Sequence, residues 1–364
     1  MMATAQNNPS KNKILIINIF GIGDILFTTP LLKNIKSHDP DSFVGYVCNK
    51  RTAPLLSENT RIDKLFIYER DEFQAVYRRS KIAFLKKMIS FLREIKKENF
   101  DLAINLSFNN STSFLLWAAG IKKRVGFNYR NRSWFLTRKI FLRNGYEGRH
   151  VAEYYLDLLK ELGIPTPYKE FELVLSDSDK IWAEEFLSKA NISPKKPLIV
   201  IIPGGGASWG KDASFKRWTS ENFAILADKM IEKFSAAVIL LGDLKEKSLC
   251  DHIAQTMKNA PAAICNEITI TQCAALLARS SLVVANDGGP LHVAVAVRAK
   301  TVSIFGPVDE KVYGPYPAQG HEIVTKDLVC RPCYRQFRMA RCEHHSCLNL
   351  ITVDEVLRKV ESIL

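Results

Sequence analysis

The stretch Ile14-Leu15-Ile16-Ile17-Asn18-Ile19-Phe20, running straight into Gly21-Ile22-Gly23-Asp24, decides the fold. A nearly continuous isoleucine and leucine run of this length fits a strand covered on both faces, and glycines directly behind it fit a tight turn into a helix. The same order recurs in the second half: an apolar run at 198–202, then Pro203-Gly204-Gly205-Gly206, then a longer loop and a helix from about Ser220. Further runs at 43–47, 64–67, 102–106, 124–126, 237–241, 282–285 and 301–305 are separated by segments of helical period. The fold class read from this pattern is α/β: two Rossmann-like units with mainly parallel sheets, facing each other across a cleft. Ligands of such sheets bind beyond the C-terminal ends of the strands.

At 364 residues the chain has room for two domains, each in the usual range of roughly 100–200 residues. We expect an N-terminal domain over 1–175, a hinge and connecting helix over 176–196, a C-terminal domain over 197–348, and a last helix over 349–364 that packs back toward the N-terminal domain. With 47% hydrophobic and 24% charged residues, the chain can bury a core and is neither disordered nor fibrous. No apolar run reaches the roughly 18–20 residues that cross a bilayer. The run at 14–20 is too short, and too soon followed by Gly21 and Asp24, for a signal-peptide core. A cytoplasmic location with reduced cysteines is therefore expected.

The formal net charge of +13 asks for an anionic partner: nucleic acid, an acidic membrane surface, phosphorylated lipid or nucleotide. Residues 1–180 carry 29 basic and 19 acidic side chains, against 22 and 19 in residues 181–364, so a large anion belongs to the first half. Two segments concentrate the excess. Residues 78–97 hold eight basic side chains and one acid, with Ile82, Leu85, Ile89, Leu92 and Ile95 near one helical face. Residues 122–143, which include Lys122, Lys123, Arg124, Arg130 and Arg132, hold eight basic side chains and no acid, interleaved with Phe127, Tyr129, Trp134 and Phe135. A solvated face, an anionic leaflet and stacked RNA bases are the three readings. No recognised RNA-binding motif accompanies them, which makes nucleic acid the weakest.

Four turns carry chemistry. Gly21-Ile22-Gly23-Asp24-Ile25-Leu26 lacks the sixth-position glycine of a dinucleotide fingerprint, so what remains is a turn that delivers Asp24 to the start of a helix. There Asp24 either caps the helix or accepts a proton from an attacking hydroxyl. Asn286-Asp287-Gly288-Gly289-Pro290-Leu291-His292 follows a buried strand. The N–H groups of Gly288 and Gly289 suit a diphosphate, His292 can donate to a phosphate oxygen, and Asp287 can orient backbone or a sugar hydroxyl. The loop with Gly204 and Gly205 lets backbone approach a ligand, and Lys216-Arg217-Trp218 after it brings a cation, but the Gly-Lys-Ser/Thr ending of a P-loop is missing. Gly242-Asp243, with Glu246 three residues on, offers carboxylates for ribose hydroxyls or for a solvated helix start. His150, with Arg149 and Glu153, begins a helix where it either approaches the cleft or caps.

Taken in order, Gly-x-Gly-Asp24, Lys216-Arg217-Trp218, Gly242-x-x-x-Glu246 and Asp287-Gly-Gly-Pro-x-His292 with Phe305-Gly306-Pro307 resemble the heptosyltransferases of glycosyltransferase family 9 over about residues 13–352. The resemblance implies a GT-B fold, with the acceptor on the N-terminal domain and the nucleotide-sugar on the C-terminal one. It implies inverting, metal-independent transfer of heptose from ADP-heptose to the inner core of lipopolysaccharide, on the cytoplasmic face of the inner membrane, with no cofactor. By the same resemblance Asp24 is the catalytic base and Lys216 the donor-phosphate lysine. Glu246 holds the adenosine ribose, and Asp287 with His292 forms a donor-site pair alongside Gly204, Gly205, Gly288 and Gly289. Some members have Thr-Gly where this chain has Gly288-Gly289. For the acceptor, a phosphorylated lipid A and core glycolipid, the expected residues are Gly23, Lys122, Lys123, Arg124, Arg130, Arg132 and His150. A family relative using another nucleotide-sugar or acceptor, and a non-catalytic nucleotide- or nucleic-acid-binding protein, are the alternatives.

Two signals compete. Asp177-Ser178-Asp179 reads either as the metal-binding Asp-x-Asp of another glycosyltransferase fold or, better, as an ordinary helix cap. Cys330, Cys333, Cys342 and Cys347 fall within 18 residues, with His344 and His345 nearby. A structural zinc site, a disulfide and packed free thiols are all open readings of them.

Overall fold

The structure, a computed structural model, describes residues 11–205 and 207–364. Gly206 of the glycine loop and the side chain of Lys211 lie outside the described residues.

Two six-stranded parallel sheets organise the chain. The first holds β1 (Lys13–Ile17), β2 (Phe43–Cys48), β3 (Lys64–Ile67), β4 (Leu102–Asn105), β5 (Lys123–Tyr129) and β6 (Arg138–Leu142), in the order β3-β2-β1-β4-β5-β6. The second holds β7 (Leu198–Ile202), β8 (Ala237–Leu241), β9 (Ala263–Cys265), β10 (Leu282–Asn286), β11 (Thr301–Ile304) and β12 (His321–Val324), in the order β12-β11-β10-β7-β8-β9. Counted within its own half, each sheet runs 3-2-1-4-5-6, so the winding reverses between β1 and β4 and again between β7 and β10. Crevices open at those two points, and the turns bearing Asp24, Gly204 and Asp287 leave the strands that border them. The strands β6, β9 and β12, all at sheet edges, escape the sequence reading: β6, with Arg138, Lys139 and Phe141 exposed, lacks the unbroken apolar run of a strand covered on both faces, β9 is three residues long, and β12 opens on His321 and Glu322.

Packing explains the rest. One apolar cluster runs through both halves without interruption, from Ile16, Ile25 and Phe27 through Phe171 and Leu173 to Leu291, Val293 and Phe305. The halves therefore meet through a shared core. A second cluster on the outer face of the first sheet joins Leu15, Ile17 and Phe66 to Phe91, Ile95, Leu115 and Leu116. It places the helices Lys81–Lys97 and Asn110–Ala118 in one outer layer.

One expectation is corrected. The last helix, Val353–Ile363, does not turn back to the N-terminal half: it lies against the helix Ser220–Phe234 and strands β11 and β12, because Val356 and Val360 complete the outer core of the second sheet. The Trp218 indole fixes its approach by donating to the Ile351 carbonyl at 3.0 Å. In keeping with the cap reading, Asp177-Ser178-Asp179 opens the helix Asp177–Lys189. Ser176 caps that helix by accepting from the Asp179 N–H at 3.1 Å, and Asp179 accepts from the Thr271 hydroxyl at 3.1 Å, so the two carboxylates serve the capped first turn of this helix.

Candidate active site

Asp24 stands in the first turn of the short helix Ile22–Leu26. Its Oδ2 accepts from the Gly21 N–H at 3.2 Å and its Oδ1 from the buried Tyr155 hydroxyl at 3.4 Å. Asn18, fully buried at the end of β1, pins the turn: its Nδ2 donates to the Asp24 carbonyl at 2.9 Å and its Oδ1 accepts from the Phe20 N–H at 3.1 Å. Burial pushes the carboxyl up to about 6, with the two hydrogen bonds and the Lys216 charge pulling it partly back. The result is a carboxylate poised near neutrality at the mouth of the cleft, which is what a general base requires.

The opposite wall comes from the second half. Lys216 closes the segment Ala207–Lys216, and its Nζ lies 2.6 Å from Asp287 Oδ2 and 4.1 Å from the centre of the Trp209 ring. Both partners of that ion pair are buried. Asn286 ties the three segments together: it accepts from the Trp218 N–H at 3.1 Å and donates to the carbonyls of Pro203, at 2.7 Å, and Gly204, at 3.2 Å. Glu246 lies over the glycine loop, accepting from the Gly205 N–H at 3.2 Å and the Asp243 N–H at 3.3 Å, with Arg217 at 3.3 Å. A Cβ on Gly204 would fall inside the Glu246 carboxylate, so this glycine is needed for close approach.

The two walls touch. A Cβ on Gly23 would come within 2.7 Å of His292 Cδ2, and one on Gly289 within 3.0 Å of Ile22 Cβ. The helix Gly289–Ala296 thus beds directly on the Asp24 turn. His292 meets the Phe27 ring edge-on at 4.7 Å, and burial first, then Lys216, pushes the imidazole down to about 3, so it is neutral. Its Nδ1 is buried without a hydrogen-bond partner, as are Arg217 Nε, Asn266 Oδ1 and Tyr146 OH. Such atoms are uncommon in folded proteins. His292 lies against Gly23 and Arg217 beside Glu246, so their unpaired nitrogens are placed to meet a polar ligand at the glycine turns.

The sequence profile described as "Glycosyltransferase family 9 (heptosyltransferase)" matches residues 88–343. The chain belongs to glycosyltransferase family 9. Among relatives, lipopolysaccharide heptosyltransferase 3 of Escherichia coli is 25% identical over 345 residues, covering 94% of this chain and 96% of the relative. Among solved structures, a family 9 glycosyl transferase from Veillonella parvula superposes with a TM-score of 0.81 at 22% identity, covering 97% of each chain. The E. coli ADP-heptose lps heptosyltransferase II does so at 0.74 and 20%, covering 96% of this chain and 98% of that one. At those identities the superpositions speak for the fold, which is GT-B, while the profile makes this family 9 chain a glycosyltransferase.

The expected donor residues of this glycosyltransferase converge: Gly204, Gly205, Lys216, Glu246, Asp287, Gly288, Gly289 and His292 all lie on the second-half wall. The expected acceptor residues do not. Lys122 and Lys123 stand at the entry to β5, in register with Leu102 and Ile14, at the strand ends away from the cleft. Arg124 spends its guanidinium on the carbonyls of Phe135, Ile121 and Lys122. His150 caps the helix Val151–Lys160 through Nδ1, which accepts from the Ala152 N–H at 3.1 Å, while Nε2–H donates across the halves to the Gly314 carbonyl at 3.0 Å. With both nitrogens engaged and the ring pushed down to about 3 by burial, His150 is a structural tie. Gly23 serves the packing of His292. Of this group Arg130, with the exposed Arg132 close behind, leaves β5 at the cleft end, and Arg130 donates to Gln336 Oε1 at 3.3 Å.

Sequence reasoning missed Asn18, Tyr146, Tyr155 and Asn286. The signal for the two asparagines was present, as each is a polar residue closing an apolar strand run. Among the described residues no three His, Cys, Asp or Glu side chains converge to hold an ion, and no disulfide joins Cys330, Cys333, Cys342 or Cys347. Burial and neighbouring thiols push Cys333 up, and Cys347 up to about 11.

Proposed function

We propose that this enzyme moves heptose from ADP-heptose to a hydroxyl of the lipopolysaccharide inner core, with inversion and without a catalytic metal. One observation carries the reading: the Asp24 carboxylate and the Lys216–Asp287 pair face each other from opposite halves, close enough for the Lys216 charge to act on Asp24. The names of the relatives support the donor and the acceptor. In the proposed reaction Asp24 takes the acceptor hydroxyl proton and the oxygen bonds to the anomeric carbon on one face. The bond to the diphosphate breaks on the other, and its electron pair leaves with ADP. Lys216, the N–H groups of Gly288 and Gly289, and His292 through its unpaired Nδ1 receive the developing negative charge. Glu246, at the glycine loop, accepts from ribose hydroxyls. Initial rates with ADP-heptose and defined truncated core lipids, against other nucleotide-sugars, test this. We expect ADP release to depend on ADP-heptose and to persist in excess chelator; release with another nucleotide-sugar alone would reassign the donor.

The acceptor is held at an anionic membrane surface, and the outer helical layer of the first half is the face that meets it. Ile82 and Leu85 are 70% and 56% exposed among Lys81, Lys86 and Lys87. Trp117 and Trp134 are 52% and 75% exposed, with Phe114 and Phe135 clustered on Trp117 and with Lys122 and Lys123 following the same helix. Aromatic and basic side chains in company suit the headgroup region. The enzyme should sediment with vesicles containing anionic phospholipid and be released as salt rises through the range where screening shortens to about 8 Å. Trp117→Ala with Trp134→Ala should weaken that binding without changing ADP affinity, and unaltered sedimentation would rule the face out.

A further inference from the structure

Between the two halves opens a cavity of about 420 Å³ that none of the residues assigned above fills. One wall is the loop after β6, with Asn144, Tyr146 and Glu147; another is Tyr313. The third is a hairpin formed by β13 (Tyr334–Arg335) and β14 (Arg338–Met339), carried by the second half and leaning on the first. Its two turn residues, Gln336 and Phe337, have φ of +52° and +60°. A two-residue turn of this hand normally takes asparagine or glycine, and a bulky aromatic there is strained. Packing on the opposite half holds it. Phe337 stacks on Phe108 at 4.8 Å and lies edge-on to Tyr129 at 5.1 Å and to Tyr146 at 5.6 Å, and the Tyr129 hydroxyl donates to the Gln336 carbonyl at 3.2 Å. Strain held against a binding cavity by the partner half marks a surface whose shape matters more than its local stability.

The cavity leads to the reacting atoms. Tyr146 OH is buried without a partner, the Tyr146 ring lies 6.1 Å from that of Tyr155, and Tyr155 donates to Asp24. Tyr313 and Tyr334 also lie within reach of the Asp24 and Asp287 charges. Aromatic rings with polar tips, the amides of Asn144 and Gln336, the carboxylates of Glu147 and Asp309 and the guanidinium of Arg335 line the cavity, which is what a hydroxyl-rich ring asks for: flat faces for its C–H surface, donors and acceptors for its hydroxyls. We propose that this cavity is the subsite for a sugar ring of the acceptor, and that the Gln336–Phe337 hairpin, supplied by the donor-binding half, is its specificity wall. The four cysteines flank that hairpin on both sides, which gives the segment a task other than catalysis.

The proposal rests on the transferase reading, and the test separates the two. Initial rates with core glycolipid as varied substrate, together with ADP binding by calorimetry, are compared for the full-length wild type, Phe337→Ala, Tyr334→Phe and Asn144→Ala. Phe337→Ala should raise the acceptor KM by about tenfold or more, through loss of both a stacking surface and the hairpin's seat. Tyr334→Phe and Asn144→Ala, which remove one polar group each from opposite walls, should raise it roughly two- to tenfold. Donor KM and ADP affinity should not move. Unchanged acceptor KM in all three variants overturns the subsite. A wild type that binds ADP but transfers nothing to the glycolipid overturns the transferase reading instead. The subsite is then read by saturation-transfer NMR of deacylated core oligosaccharide, where equal signals from wild type and Phe337→Ala count against it.

Discussion

Asp24→Asn is expected to lower kcat by about 10²- to 10⁴-fold, the contribution of a positioned general base, and to leave ADP binding intact. The amide oxygen still accepts from the Gly21 N–H and the amide NH2 can donate to the Tyr155 hydroxyl oxygen in place of the bond that Oδ1 accepted, so the turn survives and the proton acceptor is lost. The wild type should show a matching pH signature. Because burial holds the Asp24 carboxyl up to about 6, kcat/KM should be full above that pH and fall as pH drops through it. Stability runs the other way. A carboxyl raised from 3.8 to about 6 favours the folded state most when protonated, so its contribution is complete below about 4 and is lost as pH rises through 6. The asparagine variant should therefore lack the ascending limb and be the more stable protein at pH 8, by chemical denaturation. A variant that retains both the limb and near-normal turnover would remove Asp24 from the base's role.

What the sequence disclosed follows from local constraint. Strands covered on both faces declare themselves as apolar runs, so β1, β4, β7, β8 and β10 were legible, and so were the turns that leave β1, β7 and β10, because only glycine tolerates the approaches there. The convergence of the proposed donor wall was legible for the same reason: its residues lie in short motifs behind strands. The acceptor side was not. Its cavity is assembled from a loop after β6, a loop after β11 and a hairpin near the C-terminus, contacts separated by up to 207 residues that leave no local pattern. The charge of Lys122, Lys123 and Arg124 was visible but its direction was not, since the end of β5 at which they stand is set by the parallel register with β4. Likewise the cap residue His150 reads as a candidate ligand until Gly314, 164 residues away, accepts its second nitrogen.

Lys216→Met should cost both activity and stability, and the two losses can be pulled apart. Removing a donor to the departing diphosphate should lower kcat by about 10²- to 10³-fold, by analogy with oxyanion donors. The same change strips the partner from Asp287, whose carboxylate is buried, and breaking a buried pair from one side typically costs about 3–5 kcal/mol. The cost arises because the remaining charge has been taken out of water and is no longer compensated. A second change that neutralises it, Asp287→Asn in the Lys216→Met background, should therefore recover most of the lost stability, while activity stays at or below that of the single variant. Denaturant midpoints and initial rates for the two single variants, the double variant and the wild type close the cycle. Two results would count against the pair as assigned: additive stability losses, which would mean that the ions are not coupled, or recovery of turnover along with stability, which would mean that Lys216 serves only to hold Asp287 and never meets the donor.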